Sequence, residues 1–546
     1  MRINIFLLFS LAIFINATEK KDTFIEVKKD YPKIFEQYLS NPKMSTLPDY
    51  SYAGYHQGTE KFSFKKKFET LKVFNVTAYG AIANDGKDDI DAIQKAVDAA
   101  GEAGGGIVLF EKGVYDFDVA TTEKFVQIRH SNIVILGKGD YLQGTILHDH
   151  SGSDYPDKSM KWLAGLYPSF FKFGKYPSDS TWHPGEHPTL LAAKLSTAKL
   201  FSKTVQTKGD AKLQVGKTYL LTMEDTDTSL VYDIFHPLKK IGKRNFSTEG
   251  ANKYHIQQMV SIEKIDGNEV TFDAPILWEL KEKWQPKLWE IPALIEEVAI
   301  AGFILKTDWK ETFQHHLNPT HDNGWDHIKL NWVHNGWVQN IIHHGTSSAV
   351  GLGNAKNCTV IKCRIEGNRG HNGFVISSAS TRNLFTQLDG NTNMHTYNLS
   401  GYASGNVIYR CIGSEPSGLD LHGGKSVYNL IDNLNGGVFK HGGNPQLLPP
   451  ACGKGLTIWN WQVGLTEPYK SHVWQADFKL KDMPNAMIVG LKGKQGQGIY
   501  VQDGSGENYD DEINSEWGYA EKLNQTAKPV SLYQYQFDKR VEAKNN

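Results

Sequence analysis

The chain has 546 residues, a formal net charge of −1 from 59 basic and 60 acidic side chains, 40% hydrophobic content and four cysteines. A chain of this length accommodates several domains or one long solenoid, and it can bury a sizeable core. Its even charge balance, without a basic run, argues against nucleic acid as a partner and against a polybasic membrane patch.

The run Ile5 to Ile15 follows Arg2, is too short to span a bilayer and ends in Ile15-Asn16-Ala17. It predicts a cleaved signal peptide over 1–17, a secreted or periplasmic mature protein and no membrane span. Residues 18–72 are polar and aromatic without periodicity, as in an extended N-terminal segment wrapped on a larger body. At Val73 the pattern changes to a strand, a turn rich in Gly, Asn and Asp, and a helix with apolar Ile90, Ile93, Val97 and Ala100. Gly104, Gly105 and Gly106 then release the chain into a strand, and Gly113 makes the next turn.

The linked order Tyr79-Gly80-Ala81, Asp85-Gly86, Asp88-Asp89, Ala92-Ile93, Ala96-Val97 and Gly104 to Tyr115 resembles the start of the pectate-lyase-like superfamily. That resemblance spans Val73 to Tyr115. It implies an all-β fold, a right-handed parallel β-helix with a short N-terminal capping helix. The superfamily includes polysaccharide lyases, glycoside hydrolases and phage tailspikes, so function has to be argued from the site. Asp85, Asp88 and Asp89 read as turn and helix-capping residues, because Asp accepts bonds from free helix N–H groups.

An Asn before a short apolar run recurs at Asn132, Asn340, Asn357, Asn383 and Asn406. Irregular periods in the twenties are those of solenoid coils, each stacking on its neighbours to cover its apolar face, and such Asn residues are expected to form ladders at a turn. The β-helix is predicted over 73–465, with a β-rich insertion over 145–292 that alternates apolar and polar residues and includes the Asp266-Gly267 turn. Residues 466–546 read as a C-terminal cap and tail. Cys358, Cys363 and Cys411 lie in apolar runs and Cys452 has no close partner in sequence, so buried thiols are expected rather than a disulfide scaffold.

Of 20 histidines, 11 lie between His315 and His441, on the central and C-terminal coils. Imidazoles, carboxylates and aromatic rings along a β-helix suit a sugar polymer. Strand alternation points Phe374, Ile376, Leu419 and Leu421 inward and Val375, Asp420 and His422 outward. Coil spacing places His395 beside His371 and Asp420 beside Tyr397. Arg369, His371, His395 and Tyr397 thus form the predicted catalytic set, with Asp420, His422, Lys440 and Trp337 as substrate-binding residues.

These groups suit β-elimination from a uronic-acid polymer, acidic or sulfated. Arg369 or Lys440 would neutralise the C6 carboxylate, His371 or His395 would take the C5 proton and Tyr397 would protonate the leaving oxygen. The structural alternative for Arg369 is a pair with Glu366. The second reading is a glycoside hydrolase with two carboxylates among Glu366, Glu415 and Asp420. The Asn-Thr-Asp, Gly-Asp-Asp and Gly-His-Gly motifs of the superfamily's polygalacturonases are absent, Gly370-His371-Asn372 being the nearest echo. The third is a non-catalytic carbohydrate-binding protein. No cofactor or metal is expected; calcium at Asp322 and Asp326 is the alternative, and the paired histidines 315–316 and 343–344 suggest a transition metal but, as adjacent strand residues, would point to opposite faces.

Overall fold

The computed structural model describes residues 30–545 apart from 43–44, 123, 140–143, 151–168, 175–189, 225, 240–253, 292–293, 319–320, 323, 391–392, 442–449, 465–477 and 495–497. The proposed signal peptide lies outside the described residues. No helix among those described is long and apolar enough to cross a membrane.

Most strands join one large sheet of parallel pairings, the wall of a parallel β-helix. The coils register as Thr359↔Leu384↔Val407↔Leu430↔Thr457↔Met487. One continuous core fills the interior, from Phe74 near its start to Leu523. The capping helix Ile90–Glu102 buries Ile90, Ile93, Ala96, Val97 and Ala100, the stripe its spacing demands. Its acidic neighbours are structural. Asp88 accepts from the Ile90 N–H at 3.2 Å and Asp89 from the Ile82 N–H at 2.9 Å.

The asparagine ladder forms at the turn before the strands Leu384–Thr386, Val407–Tyr409 and Leu430–Asp432. Asn383 Nδ2 donates to Asn406 Oδ1 and Asn406 Nδ2 to Asn429 Oδ1, both at 2.9 Å. Each Oδ1 also accepts the backbone N–H of the preceding rung. Asn406→Ala removes one rung and leaves several buried polar groups without partners, each worth about 1–3 kcal/mol. The expected result is a loss of at least about 3 kcal/mol of stability in denaturant titration; a near-neutral change would mean that the ladder carries little of the turn's stability.

Two boundaries differ from expectation. The strands Thr145–Asp149 and Ser169–Phe173 pair in parallel with the coils. The antiparallel insertion therefore runs from Leu191 to Glu290, as six strands closed into a barrel. The coil wall also continues past 465, through Ala486–Val489 and Gly518–Glu521. The barrel is fastened to the helix by Lys356 Nζ to Asp273 Oδ2 at 2.6 Å and by fully buried Arg382, which donates to the Pro275 carbonyl at 2.6 Å.

The N-terminal segment does lie on the body, but it carries the helices Lys33–Ser40 and Phe64–Thr70. Tyr50 Oη donates to Thr457 at 2.8 Å and Tyr55 Oη to Glu297 at 2.6 Å. The C-terminal helix Leu532–Asn545 closes over the same side. Asp432 Oδ2 holds its start, accepting from Ser531 Oγ at 2.7 Å and the Tyr533 N–H at 2.8 Å. All four cysteines are free and buried, and burial pushes the Cys358, Cys363 and Cys411 thiols up to about 12.

Candidate active site

Three successive coil strands, Asn372–Ser377, His395–Leu399 and Ile412–Leu421, make the floor of the site. Their register is Phe374↔Tyr397↔Leu419 and Asn398↔Asp420↔Lys440. Asp420 thus lies beside Asn398, one residue away from the expected Tyr397. A slip of one residue reverses the face, and Tyr397 is consequently a core residue. Its ring stacks on Phe374 at 5.9 Å between centroids, and its hydroxyl donates to the carbonyls of Leu388 and Ile412 at 3.1 and 2.7 Å. It has no surface from which to protonate a substrate.

Trp337 is also withdrawn from the predicted set. It is buried against Tyr55 and Phe62 of the N-terminal segment, with Nε1 donating to Gln339 at 2.7 Å. Arg369 lies half-buried just before the cluster, while Glu366 is taken by Arg364 at 2.7 Å. Lys440 occupies the strand position beside Asp420; its side chain lies outside the described set.

The remaining predicted residues do converge. His371 and His395 stand with ring centroids 5.1 Å apart, and His395 is 5.9 Å from His422. Gly370 lets the chain turn into His371, since a Cβ there would lie 1.9 Å from the Thr346 carbonyl oxygen. Asp420 is fully buried beneath this group. Its Oδ2 accepts from Asn398 Nδ2 at 2.7 Å and His422 Nδ1 at 2.9 Å, and His395 Nδ1 lies 3.3 Å away.

Residues that sequence reasoning left aside complete the site. The connection between the strands Ile295–Thr307 and Asp326–His344 folds over the coil face. Asn368 pins it, donating to the Trp309 carbonyl at 2.7 Å. It lays Phe313 on the His371 ring at 6.0 Å and brings His315 within 5.0 Å of His371 and 5.7 Å of His395. His316 Nδ1 bonds Asp322 Oδ2 at 2.6 Å. Residues 315 and 316 are not in a strand, so alternation does not part them, and their rings lie 3.6 Å apart. The following Asn-Pro-Thr-His-Asp-Asn-Gly stretch carries the loop signal that contradicts a strand reading. Asp326 is paired with Lys329, whereas Asp322 turns to His316, so the two carboxylates considered for calcium are not a shared oxygen cage.

Burial sets the electrostatics. It holds the His371 imidazole down at about 3, and it lowers His315 to about 4 with help from neighbouring His316. Both rings are neutral at ordinary pH. The hydrogen bond to Asp420 raises His422 above its usual range, against the effect of burial. His422 is open to solvent, with 42% of its side chain exposed, whereas His371 and His395 are buried. The outcome is an imidazole–carboxylate dyad facing solvent beside a cluster of neutral imidazoles.

The model of a domain of unknown function, DUF4955, matches residues 392–545, which include His395, Asp420 and His422. A comparison with curated proteins gives no match. Among solved structures, the chain is similar to the tailspike of Pseudomonas phage phi297, at 10% identity and TM-score 0.49 over 80% of this chain and 73% of that one. It is also similar to a tailspike of Acinetobacter baumannii bacteriophage AP22, solved with a capsular saccharide (10% identity, TM-score 0.40, 82% and 70%). A family 28 exopolygalacturonase of Yersinia enterocolitica is similar at 11% identity and TM-score 0.29, over 84% and 79%.

Proposed function

We propose that this chain is an exported polysaccharide lyase that cleaves a uronate-containing, acidic or sulfated polymer by β-elimination. The observation that carries this reading is the solvent-facing His422 held by buried Asp420 beside the His315, His371 and His395 cluster. Elimination needs a base for the C5 proton and a neutralising group for the C6 carboxylate. His422 suits the first role better than His371 or His395. Its Nδ1 is anchored, which leaves Nε2 as acceptor, while the buried ring of His371 binds a proton too weakly.

In the proposed step the C5–H bond breaks and its electron pair forms the C4=C5 double bond. The C4–O pair leaves with the glycosidic oxygen. His422, protonated by the transfer, returns its proton to that oxygen, so no net proton is consumed. Arg369, two residues before His371, supplies one neutralising group in this reading.

Hydrolysis would need two carboxyl groups open to the substrate. The cluster's described carboxylates, Asp322 and Asp420, are buried and held by histidines. The test is ultraviolet absorbance during incubation with alginate, pectin, ulvan and glycosaminoglycans. The expected result is rising absorbance from unsaturated ends on at least one substrate. Reducing ends without absorbance would replace the lyase by a hydrolase, and binding without cleavage would replace both by a carbohydrate-binding protein.

A further inference from the structure

His315, His371 and His395 come from a loop and two adjacent coils, and each offers a ring nitrogen within 4.8 Å of the others. Hydrogen bonding orients the nitrogens of His371. His371 Nδ1 lies 3.1 Å from the Asp322 carbonyl and 3.2 Å from the Asn372 side-chain amide. A carbonyl can only accept, so Nδ1 carries the hydrogen and Nε2 keeps its lone pair. His395 Nδ1 lies 3.3 Å from Asp420 Oδ2, an ion-pair distance that sets a carboxylate beside the same nitrogen. Imidazoles that ligate metals are commonly fixed in this way, with the distal N–H given to a carbonyl or carboxylate.

His371 is only 8% exposed, and its Nε2 is buried with no hydrogen-bond partner among the described residues. Buried polar atoms are ordinarily satisfied, so this lone pair calls for a ligand. A second group, Asp116, His148 and His150, has comparable spacing, but there the rings already bond carboxylates, His148 to Asp308 at 2.8 Å and His150 to Asp116.

We propose that His315, His371 and His395 bind one divalent transition-metal ion, zinc by preference. Three imidazoles and no carboxylate in the ligand set suit zinc, cobalt or nickel rather than calcium or magnesium. Tetrahedral Zn–N bonds of about 2.1 Å require nitrogens about 3.4 Å apart. The exposed His315 side chain on its loop can close that difference by rotation. Three protein ligands leave the fourth position open, and the carboxylates of Asp322 and Asp420, 3.8 Å from His371 Nδ1 and 3.3 Å from His395 Nδ1, offset the charge of the ion. Resting on the lyase reading, the open position would take the uronate carboxylate within reach of His422.

The test uses the full chain, stripped with a chelator, titrated with Zn2+ by calorimetry and with Co2+ by visible absorption. The expected result is one tight equivalent per chain with a tetrahedral cobalt spectrum. His315→Ala, at an exposed loop position, should weaken binding by at least 10–100-fold at an unchanged melting temperature in the stripped state. His148→Ala should leave binding intact. Absence of stoichiometric binding, or full binding in His315→Ala and His371→Ala alike, would overturn the proposal. These readouts need no activity, so metal binding without unsaturated product would sink only the lyase reading, and unsaturated product without metal only this one.

Discussion

Replacing His422 by alanine is expected to lower turnover by about 10²–10⁴, the usual contribution of a general base, with little change in melting temperature. The asymmetry follows from its position. The ring is partly open to solvent, and buried Asp420 keeps its hydrogen bond from Asn398 when His422 is removed. Asp420→Asn should also lower turnover, because an amide cannot hold the imidazole as a carboxylate does, but it disturbs a fully buried position as well. Tyr397→Phe separates the two explanations. Its hydroxyl bonds two core carbonyls, so its loss should reduce stability and leave the rate of the folded fraction unchanged. Full turnover in His422→Ala would remove the dyad from the chemistry.

Acidification from pH 6.5 toward 4 is expected to destabilise the fold well before the ordinary carboxylates titrate. Three histidines away from the candidate site are kept neutral by burial: His255 and His343 are held at about 3 and His327 well below its usual value, aided by His343 and His344. A depressed folded-state value means that the unfolded chain binds the proton first. Stability is therefore full above about 6.5 and is lost as pH falls, at about 1.4 kcal/mol per pH unit for each group. Acids raised by burial, Asp326 and Asp389 among them, oppose this. Asp432 is pushed up to about 7 and Asp89 to about 6, so each favours the folded state as it gains its proton.

His315, His334 and His371 are lowered as well, so the depressed histidines outnumber the raised acids and the net effect between roughly pH 6 and 4 is a loss of stability. Asp432→Asn keeps an acceptor for Ser531 and Tyr533 while removing one opposing group, and it should steepen the fall. Thermal melting across that range checks both statements; a midpoint that rises on acidification, or a shallower slope in Asp432→Asn, would contradict them.

Much of the architecture is legible in the residues because solenoid coils repeat the same local rules. The glycine-punctuated block from Val73 to Tyr115 and the asparagines at 383 and 406 announce coils and a ladder, and both form. The insertion was legible as antiparallel through its alternation and its turn at Gly267. Its start was not, because Thr145–Asp149 alternates like a hairpin strand while pairing in parallel.

The site was legible in composition and less so in orientation. His371, His395, Asp420 and His422 converge, although coil spacing sets His395 and Asp420 one residue away from their strand partners, Asn372 and Asn398. Tyr397 was misplaced because turns of unequal length shift register by one residue, and one residue is the whole difference between core and surface. Trp337 was misplaced because nothing local in the sequence says that Tyr55 and Phe62, far earlier in the chain, cover it. His315 is hidden from a strand-based reading because residues 315 and 316 lie in a loop, where alternation of faces does not hold.

The most direct measurement of the central claim is mass spectrometry of oligosaccharides released in heavy-oxygen water from a substrate found in the panel. Elimination predicts unsaturated non-reducing ends and no heavy oxygen incorporated by cleavage, with both products lost together in His422→Ala. Saturated products carrying heavy oxygen from the wild-type chain would contradict the account.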